Sequence, residues 1–420
     1  MPAGPSSARW ASKADNGTEL LRWAPWSRHH AVVLGPLAAL LPALFTALFT
    51  ALFTALFTAH MTAITLDHLR RYAVARSLFA PTTLPKAIGR LGFVQADPIR
   101  APARAQDLTL RHRVKDYVAG DLERRYARLG IEEDFFVNYG FLPQTTHALM
   151  HPRTARREWP QARWAQAQAV LEFVRERGVV HPREVDAHFQ HGKSQNWFGG
   201  STNASTQLLD GMHYRGLLRV AGRDGGTRTY AARGVHAAPD DPAAALDTLV
   251  DVVVQKYAPL PGATLSGLVM RLALSVPQWS ALRRAAWERA KTRLPGATID
   301  GTTWYWPEGE NPLSKRHSVD EELRLLAPFD PVVWDRRRFE IFWGWAYRFE
   351  AYTPAPRRVR GYYALPMLWR GQVIGWGNVS VRDGAVQTAL GYVAGQAPRD
   401  AAFRQALAAE QQRLSLFLRC

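Results

Sequence analysis

The segment 204–230, ASTQLLDGMHYRGLLRVAGRDGGTRTY, decides the fold class because it combines a helix, a stop and a hairpin in one run. Its first eleven residues carry apolar side chains at helical spacing, and Gly216 ends that pattern. Residues 217–220 (LLRV) and 227–230 (TRTY) are then typical of two short strands. The glycines between those strands predict a hairpin turn. The segment therefore predicts a helix followed directly by a β-hairpin.

Two further helical patterns precede this segment. An amphipathic helix is predicted over Trp164–Arg177, with a stop at Gly178, and a shorter one begins at His181 and runs through Phe189. Three helices followed by a hairpin predict a winged helix. In such a domain, polar side chains at the third helix and basic ones on the hairpin can meet base edges or phosphates. The candidates are Ser201, Asn203, Ser205, Thr206, Gln207, Arg223 and Arg228. The alternative is a winged helix that serves protein–protein or architectural contacts.

Downstream, the pattern partly repeats. Residues 246–306 again read as three helices followed by two short strands, which predicts a second, shorter winged unit. After Leu326, strands are predicted over 362–368, 372–381 and 386–393, with a closing helix over 399–418. The expected fold is mainly α with small β, with tandem winged-helix (helix-turn-helix) domains followed by a C-terminal small β-barrel. The predicted divisions are 1–60, 61–160, 161–240, 241–318 and 319–420.

Residues 61–160 are expected to be mostly helical with short interruptions, because no long stretch alternates like a strand. Within them, Pro98 and Pro102 exclude a continuous helix. We therefore expect residues 95–103 to form a helix end followed by an extended turn.

Composition narrows the function. Lys and Arg number 53 against 36 Asp and Glu, which leaves a formal charge of +17 and favours a polyanion such as nucleic acid as partner. The single cysteine, Cys420, excludes an intramolecular disulfide and a thiolate metal cluster. The sequence contains neither a GxxxxGK[ST] phosphate loop nor an HExxH zinc motif. We therefore expect no metal and no cofactor.

The first sixty residues stand apart. Residues 31–59 carry no charge and are long enough to cross a bilayer, yet Ala-Leu-Phe-Thr occurs four times in a row within them, at residues 43–58. This strict four-residue period is typical of a duplicated stretch of nucleotides. We expect residues 1–60 to be an unstructured or mis-started segment and the folded protein to begin at Met61. A membrane anchor is the alternative.

Gln95 and Asp97 are the candidate catalytic residues. They lie two apart in LGFVQADPIR, where Pro98 bends the chain so that their side chains can converge. A carboxylate beside an amide can orient and deprotonate a water. Read alone, Gln-x-Asp before a proline also describes an ordinary helix terminus. The neighbouring basic residues predict a strip that grips phosphates, formed by Arg100, Arg104, Arg111, Arg113 and Lys115.

Three separated segments resemble the AlkZ/YcaQ-type DNA glycosylase family. They are residues 91–113, which begin LGFVQADPIRAPARAQ, then APFDPVVWDR at 327–336 and EAYTPAPRR at 350–358, the last followed by Gly361-Tyr362-Tyr363 and Leu365-Pro366. The resemblance runs over about residues 61–415. It implies tandem winged helices closed by a small β-barrel around a concave DNA-binding surface.

The same resemblance implies an activity, the excision of alkylated purines and the unhooking of interstrand crosslinks. Asp97 would activate the reaction at the sugar C1′ or stabilise the charge that develops there, and Gln95 would position the attacking water. Glycosidic cleavage passes through an oxocarbenium-like centre that a carboxylate stabilises. A cationic N7-alkylated purine leaves without a strong general acid. Arg357 and Arg358 join the expected DNA contacts.

Two positions depart from the family pattern. Many relatives carry a His-Glu pair where this chain has Val137-Asn138, so we include Asn138 in the candidate catalytic group. A strand that commonly reads Gly-Arg-x-Asp-x-Lys is here GWGNVS at 375–380, which removes three charged groups.

The leading hypothesis is a monofunctional DNA glycosylase that acts as a monomer on alkylated or crosslinked double-stranded DNA, in the cytoplasm at the nucleoid. The competing hypothesis is a non-catalytic winged-helix DNA-binding protein, either a regulator or an architectural protein. Strong salt dependence and a sequence-selective footprint without base release would mark the second.

Overall fold

A computed structural model describes residues 63–195 and 201–420, except for the side chains of residues 194, 195, 201 and 202. The expectations for residues 1–60 lie outside the described residues. Within the described ranges, no helix is both long and apolar enough to cross a membrane. The fold is mixed and rich in helices, with small antiparallel sheets.

The first region contains short helices around a three-stranded sheet. Its helices are α1 (Leu66–Ser77), α2 (Leu84–Leu91), α3 (Ala105–Leu110), α4 (Asp121–Arg125) and α5 (Gln144–Ala148). Its strands are β1 (Val94–Gln95), β2 (Ile131–Phe135) and β3 (Tyr139–Pro143), in the order β1-β3-β2.

The expectation of a mostly helical first region is wrong in two places. The hairpin of β2 and β3 was missed, and Gln95 lies in strand β1 rather than at a helix end. Helix α2 has already ended at Gly92, whose φ of +66° closes it in the left-handed region. Strand β1 then fits closely against β3, because a Cβ at Gly140 would lie 2.3 Å from the Val94 carbonyl oxygen.

The second region confirms the helix positions read from the sequence. It contains α6 (Gln161–Arg177), β4 (Val179–Val180), α7 (Pro182–Phe189), β5 (Lys193–Gln195), β6 (Ser201–Asn203), α8 (Ala204–Tyr214), β7 (Leu218–Asp224) and β8 (Thr227–Ala232). Strands β7 and β8 form the predicted hairpin, whose turn has positive φ at Gly225 and Gly226. Local signals suffice here because each helix has its own stop; α6, for example, ends at Gly178.

The third region repeats the order of helices and strands seen in the second, without counterparts of β5 and β6. It contains α9 (Pro242–Tyr257), β9 (Leu260–Pro261), α10 (Gly262–Arg271), α11 (Arg283–Arg293), β10 (Gly296–Ile299) and β11 (Thr302–Tyr305). The sheet order β10-β11-β9 matches β7-β8-β4 of the second region. The sequence repeat is therefore a repeat of architecture.

The C-terminal region contains β12 (Arg324–Leu325), α12 (Arg336–Trp343), β13 (Leu365–Trp369), β14 (Gln372–Arg382), β15 (Ala385–Tyr392) and α13 (Ala401–Leu418). The expectation of a closed barrel is wrong for the described strands, because β15 pairs with β14 and β12 with β13 in an open sheet. Helix α13 instead buries Phe403, Leu414 and Phe417 in the core cluster that includes residues of this sheet.

Shared cores join regions that are distant in sequence. Leu69 and Tyr72 of α1 are buried in one cluster with Val253 of α9 and Phe342 of α12. Trp304 of β11 stacks on Phe342 with ring centroids 5.2 Å apart. This packing determines where strand β1, and with it Gln95, lies relative to the C-terminal region.

Candidate active site

Gln95 is held by two donors that come from distant parts of the chain. Its Oε1 atom accepts hydrogen bonds from Asn138 Nδ2 at 3.3 Å and from Trp334 Nε1 at 3.1 Å. Two donors on the oxygen assign the amide orientation, so Nε2 remains as the donor that can face a water or substrate. Sequence analysis named Gln95 and Asn138 but missed Trp334. The only signal was the position of Trp334 inside the PFDPVVWD segment.

The indole ring of Trp334 is itself held by packing against another aromatic ring. Its ring lies against Tyr257 of α9 with centroids 4.6 Å apart. Trp334 and Gln95 lie 239 residues apart, in two of the three family-like segments. The hydrogen bond between them therefore joins these two segments.

Asp97 follows β1 as a half-buried carboxylate. Its Oδ1 atom accepts a hydrogen bond from the Ile99 backbone at 2.9 Å, and its own backbone N–H donates to Gln106 Oε1 at 3.4 Å. Burial raises the pKa of Asp97, and the hydrogen bond from Ile99 opposes that rise. None of the ion pairs among the described residues involves Asp97. A desolvated carboxylate without a counter-ion is a better proton acceptor than an exposed one, as a general base requires.

Two of the predicted phosphate-gripping arginines lie beside this loop. Arg100 is exposed, and Arg104 pairs with Glu123. A Cβ placed on Gly226 would lie 2.7 Å from one Arg104 nitrogen and 3.0 Å from one Arg100 nitrogen, so both side chains reach the turn of the β7–β8 hairpin. The structure thus brings two arginines of the loop that follows Asp97 together with the turn of the β7–β8 hairpin.

Comparison with known proteins identifies the family. The family model described as DNA glycosylase AlkZ-like matches residues 88–417, which is most of the chain. The chain belongs to the AlkZ-like DNA glycosylase family. Among solved structures, Streptomyces sahachiroi DNA glycosylase AlkZ is similar at 14% identity and a TM-score of 0.55, over 84% of this chain and 97% of that one. At that identity the likeness concerns the fold.

Arg111 and Arg113 do not belong to the surface of this AlkZ-like chain. Arg113 is fully buried, pairs with Asp330 at 2.8 Å and 3.0 Å, and donates to the carbonyl of Ser77. Arg111 donates to the carboxylate of Glu410 and stacks over Phe417. Because a buried carboxylate needs a buried cation, both guanidiniums turn inward, and the predicted strip is interrupted. Lys115 remains exposed.

The predicted contacts at helix α8 are largely used within the protein. Ser205 is fully buried and donates to Asp186 at 3.1 Å, and Asn203 Nδ2 donates to the same carboxylate at 3.0 Å. Ser205 is therefore a structural residue here. Thr206 and Gln207 are half-buried, and Gln207 Oε1 lies 3.5 Å from an Arg163 nitrogen. The Ser201 side chain lies outside the described residues.

Arg223 and Arg228 of the β7–β8 hairpin form ion pairs with other parts of the protein. Arg223 donates to the carboxylate of Glu133, Arg228 Nε lies 3.2 Å from the same carboxylate, and Arg228 also pairs with Asp210 at 2.9 Å. Arg228 further lies over the Tyr139 ring at 4.5 Å. These contacts attach β7 and β8 to the β2–β3 hairpin, because the buried Glu133 needs cations that its own strand does not supply.

Strand β2, which sequence analysis missed, contains three consecutive buried acids: Glu132, Glu133 and Asp134. Arg153 meets Asp134 with two hydrogen bonds of 3.0 Å and 3.2 Å. The Nε2 atoms of His147 and His151 lie 2.9 Å and 3.0 Å from Asp134 Oδ2. Although burial acts to raise it, these cationic and hydrogen-bonding partners hold the pKa of Asp134 well below its ordinary value.

Asp134, His147 and His151 place potential ligand atoms within 4.8 Å of one another, which raises the question of a metal. Arg233 donates toward His147 Nδ1 at 3.2 Å, so the proton of this imidazole is on Nε2, and that nitrogen donates to Asp134. A metal would need the Nε2 lone pair and the carboxylate that Arg153 already occupies. The cluster fits a hydrogen-bonded ion pair rather than a metal centre.

Arg357 and Arg358 lie on a surface loop of the C-terminal region. Arg357 is exposed, whereas Arg358 donates from Nε to the Thr353 carbonyl at 2.7 Å and lies over the Tyr362 ring at 5.0 Å.

Proposed function

We propose that this protein is a monofunctional DNA glycosylase that hydrolyses the N-glycosidic bond of alkylated purines in double-stranded DNA, interstrand crosslinks included. The observation that carries the proposal is the Asp97 carboxylate, half-buried and without a counter-ion among the described residues, two residues after a Gln95 amide oriented by Asn138 and Trp334. Membership of the AlkZ-like DNA glycosylase family supports the reaction class.

The proposed reaction is a single hydrolytic displacement. Gln95 Nε2 orients a water at the face of C1′, and Asp97 stabilises the developing oxocarbenium charge and accepts the proton of that water. The water oxygen bonds to C1′ while the C1′–N9 bond breaks. An N7-alkylated purine carries a positive charge, so it takes the bonding pair and leaves as a neutral base. One carboxylate and one amide then suffice.

Lys256 bears on the choice between hydrolase and lyase. Its Nζ donates to the carbonyl of Phe93, the residue that precedes strand β1. Burial lowers the pKa of Lys256 to about 7, but its side chain is fully enclosed and cannot reach a sugar carbon. This arrangement favours a water nucleophile.

For DNA binding we propose that α6–β8 and α9–β11 act as winged-helix units and that the exposed cations of the described surface meet phosphates. Among the exposed cations, those predicted from the sequence are Arg100, Lys115 and Arg357; Arg104 and Arg358, also predicted, are only partly exposed. The protein would act as a monomer on duplex DNA. Each phosphate contact contributes to the salt dependence of binding.

The test compares Asp97→Asn with Asp383→Asn in the full chain. Asp383 is exposed in the β14–β15 turn, so its substitution controls for loss of one negative charge. Duplex DNA with one N7-methylguanine is incubated and then heated in alkali, which breaks the strand at abasic sites. Loss of a general base typically costs roughly 10²- to 10⁴-fold in rate, so we expect Asp97→Asn to lose at least about 10²-fold while Asp383→Asn keeps wild-type activity.

The asparagine can still accept the Ile99 hydrogen bond, so the loss should occur without unfolding. Equal rates for wild type and Asp97→Asn across several alkyl lesions would overturn the catalytic assignment. A sequence-selective footprint without base release would instead establish the non-catalytic DNA-binding protein.

A further inference from the structure

The loop 351–361 is held rigidly at both ends. The buried Glu350 carboxylate accepts hydrogen bonds from the backbone N–H of Arg360 at 2.8 Å and of Gly361 at 3.3 Å. Within the loop, Arg358 Nε donates to the Thr353 carbonyl at 2.7 Å. A loop closed in this way presents its side chains with little loss of entropy on binding.

Trp376 and Asn378 of strand β14, which depart from the family pattern, make hydrogen bonds to the C-terminal end of this loop. Asn378 Nδ2 and Trp376 Nε1 both donate to the Arg360 carbonyl, at 2.7 Å and 3.1 Å. Gly361 adopts a φ of +116°, and a Cβ there would lie 2.4 Å from Asn378 Oδ1. The neutral residues that replace the charged family pattern therefore anchor the loop.

The aromatic ring of Tyr352 projects from this rigid loop. Tyr352 is 79% exposed and touches Phe349 edge to face, with ring centroids 6.0 Å apart. Phe349 packs in turn on Phe329 at 5.3 Å. Phe329 belongs to the same PFDPVVWD segment as Trp334, whose indole N–H donates to Gln95. One segment thus supports both the catalytic amide and the base of the exposed ring.

The ring also lies within electrostatic reach of the carboxylate. After burial, the charge of Asp97 is the next contribution that raises the pKa of Tyr352, and the same holds for the buried Tyr363. An exposed, preorganised aromatic beside a reaction centre is the usual platform for a nucleobase.

We propose that Tyr352 stacks on the nucleobase at the lesion and favours cationic alkylated purines over neutral ones. This inference rests on the glycosylase function proposed above. A purine offers a flat face to the ring, and a positive charge on that purine adds cation–π attraction. Tyr352 would then place C1′ of the lesion against Asp97. Because the ring is exposed, the surface beside it would remain open for a bulky adduct.

The experiment uses the full chain with Tyr352→Ala, Tyr352→Phe and, as the control, Val359→Ala, which removes another exposed apolar side chain of the same loop. Two readouts are measured: base release from N7-methylguanine DNA, and quenching of an unpaired 2-aminopurine opposite a tetrahydrofuran abasic analogue. We expect Tyr352→Ala to lower kcat/KM roughly 5- to 150-fold and to abolish the quenching, whereas Tyr352→Phe and Val359→Ala retain both.

The two proposals fail in different ways. Base release and quenching by Tyr352→Ala equal to those of wild type would overturn the stacking role and leave the glycosylase intact. If wild type releases no base, the glycosylase fails, and the quenching still decides whether Tyr352 stacks: quenching that depends on the ring supports stacking, and quenching that does not overturns it.

Discussion

Two carboxylates, Asp134 in strand β2 and Asp97 just after strand β1, lie near the same sheet but have opposite surroundings. Gln95 of β1 and Asp134 of β2 lie in one row, because each is paired across the sheet with Gly140 of β3. Asp134 is fully buried with an arginine and two imidazoles, whereas Asp97, two residues beyond Gln95, is half-buried and pairs with no cation in the part of the chain that the structure describes. The pKa of Asp134 is lowered, and that of Asp97 is raised. A carboxylate with its partners supplied holds a fold together; one left without them is available for chemistry.

The largest effect we expect comes from removing the partner of Asp134. Arg153→Met leaves a buried charge uncompensated, which costs about 3–5 kcal/mol of unfolding free energy. Urea denaturation measures the loss. Arg157→Met, at an exposed neighbouring arginine, should change stability by less than about 0.5 kcal/mol. If the two variants were equally stable, Asp134 would not be the structural carboxylate of this comparison.

A smaller effect is expected on acidification. Burial lowers the pKa of His147 to about 3 and that of His151 to about 4, whereas unfolded imidazoles titrate near 6.5. As pH falls below 6.5, the unfolded state binds protons that the folded state refuses, so stability falls. Asp134, whose pKa is lowered, loses its contribution at still lower pH, in the same direction.

Between pH 7.5 and pH 6 the two imidazoles should remove about 1–2 kcal/mol, which thermal unfolding at several pH values can follow. The double substitution His147→Gln and His151→Gln should make that part of the profile less steep, and a slope should remain because burial also lowers the pKa of His112 and of His213. A wild-type Tm independent of pH over this interval would contradict the neutral, buried state of the pair.

The smallest effect concerns the acid limb of activity. Asp97 must be ionised to accept a proton, and its raised pKa moves the loss of base release to a higher pH than an ordinary aspartate would give. Below that pKa the rate should fall about tenfold per pH unit. Single-turnover rates measured where the protein remains folded provide the profile. Residual activity of Asp97→Asn should lack this limb; a limb shared by both proteins would assign the titration to another group.

By itself, the sequence determined the elements whose signals are local. Helix stops such as Gly178 and the Gly225-Gly226 turn act within a few residues, so helices α6–α8 and the β7–β8 hairpin were predicted at their observed places. The Gln95-Ala96-Asp97 motif was also found from sequence, through its resemblance to a family.

Only the tertiary structure decided which charges are buried and which side chains meet. Arg113 pairs with Asp330 217 residues away, and Trp334 reaches Gln95 across 239, so neither contact has a local signal. The burial of the acidic residues of β2 has no local signal either, because several of their cations come from other regions of the chain. The burial of a charge depends on partners supplied by the whole fold, and the chemistry that we propose for Asp97 depends on the lack of a cation beside it among the described residues.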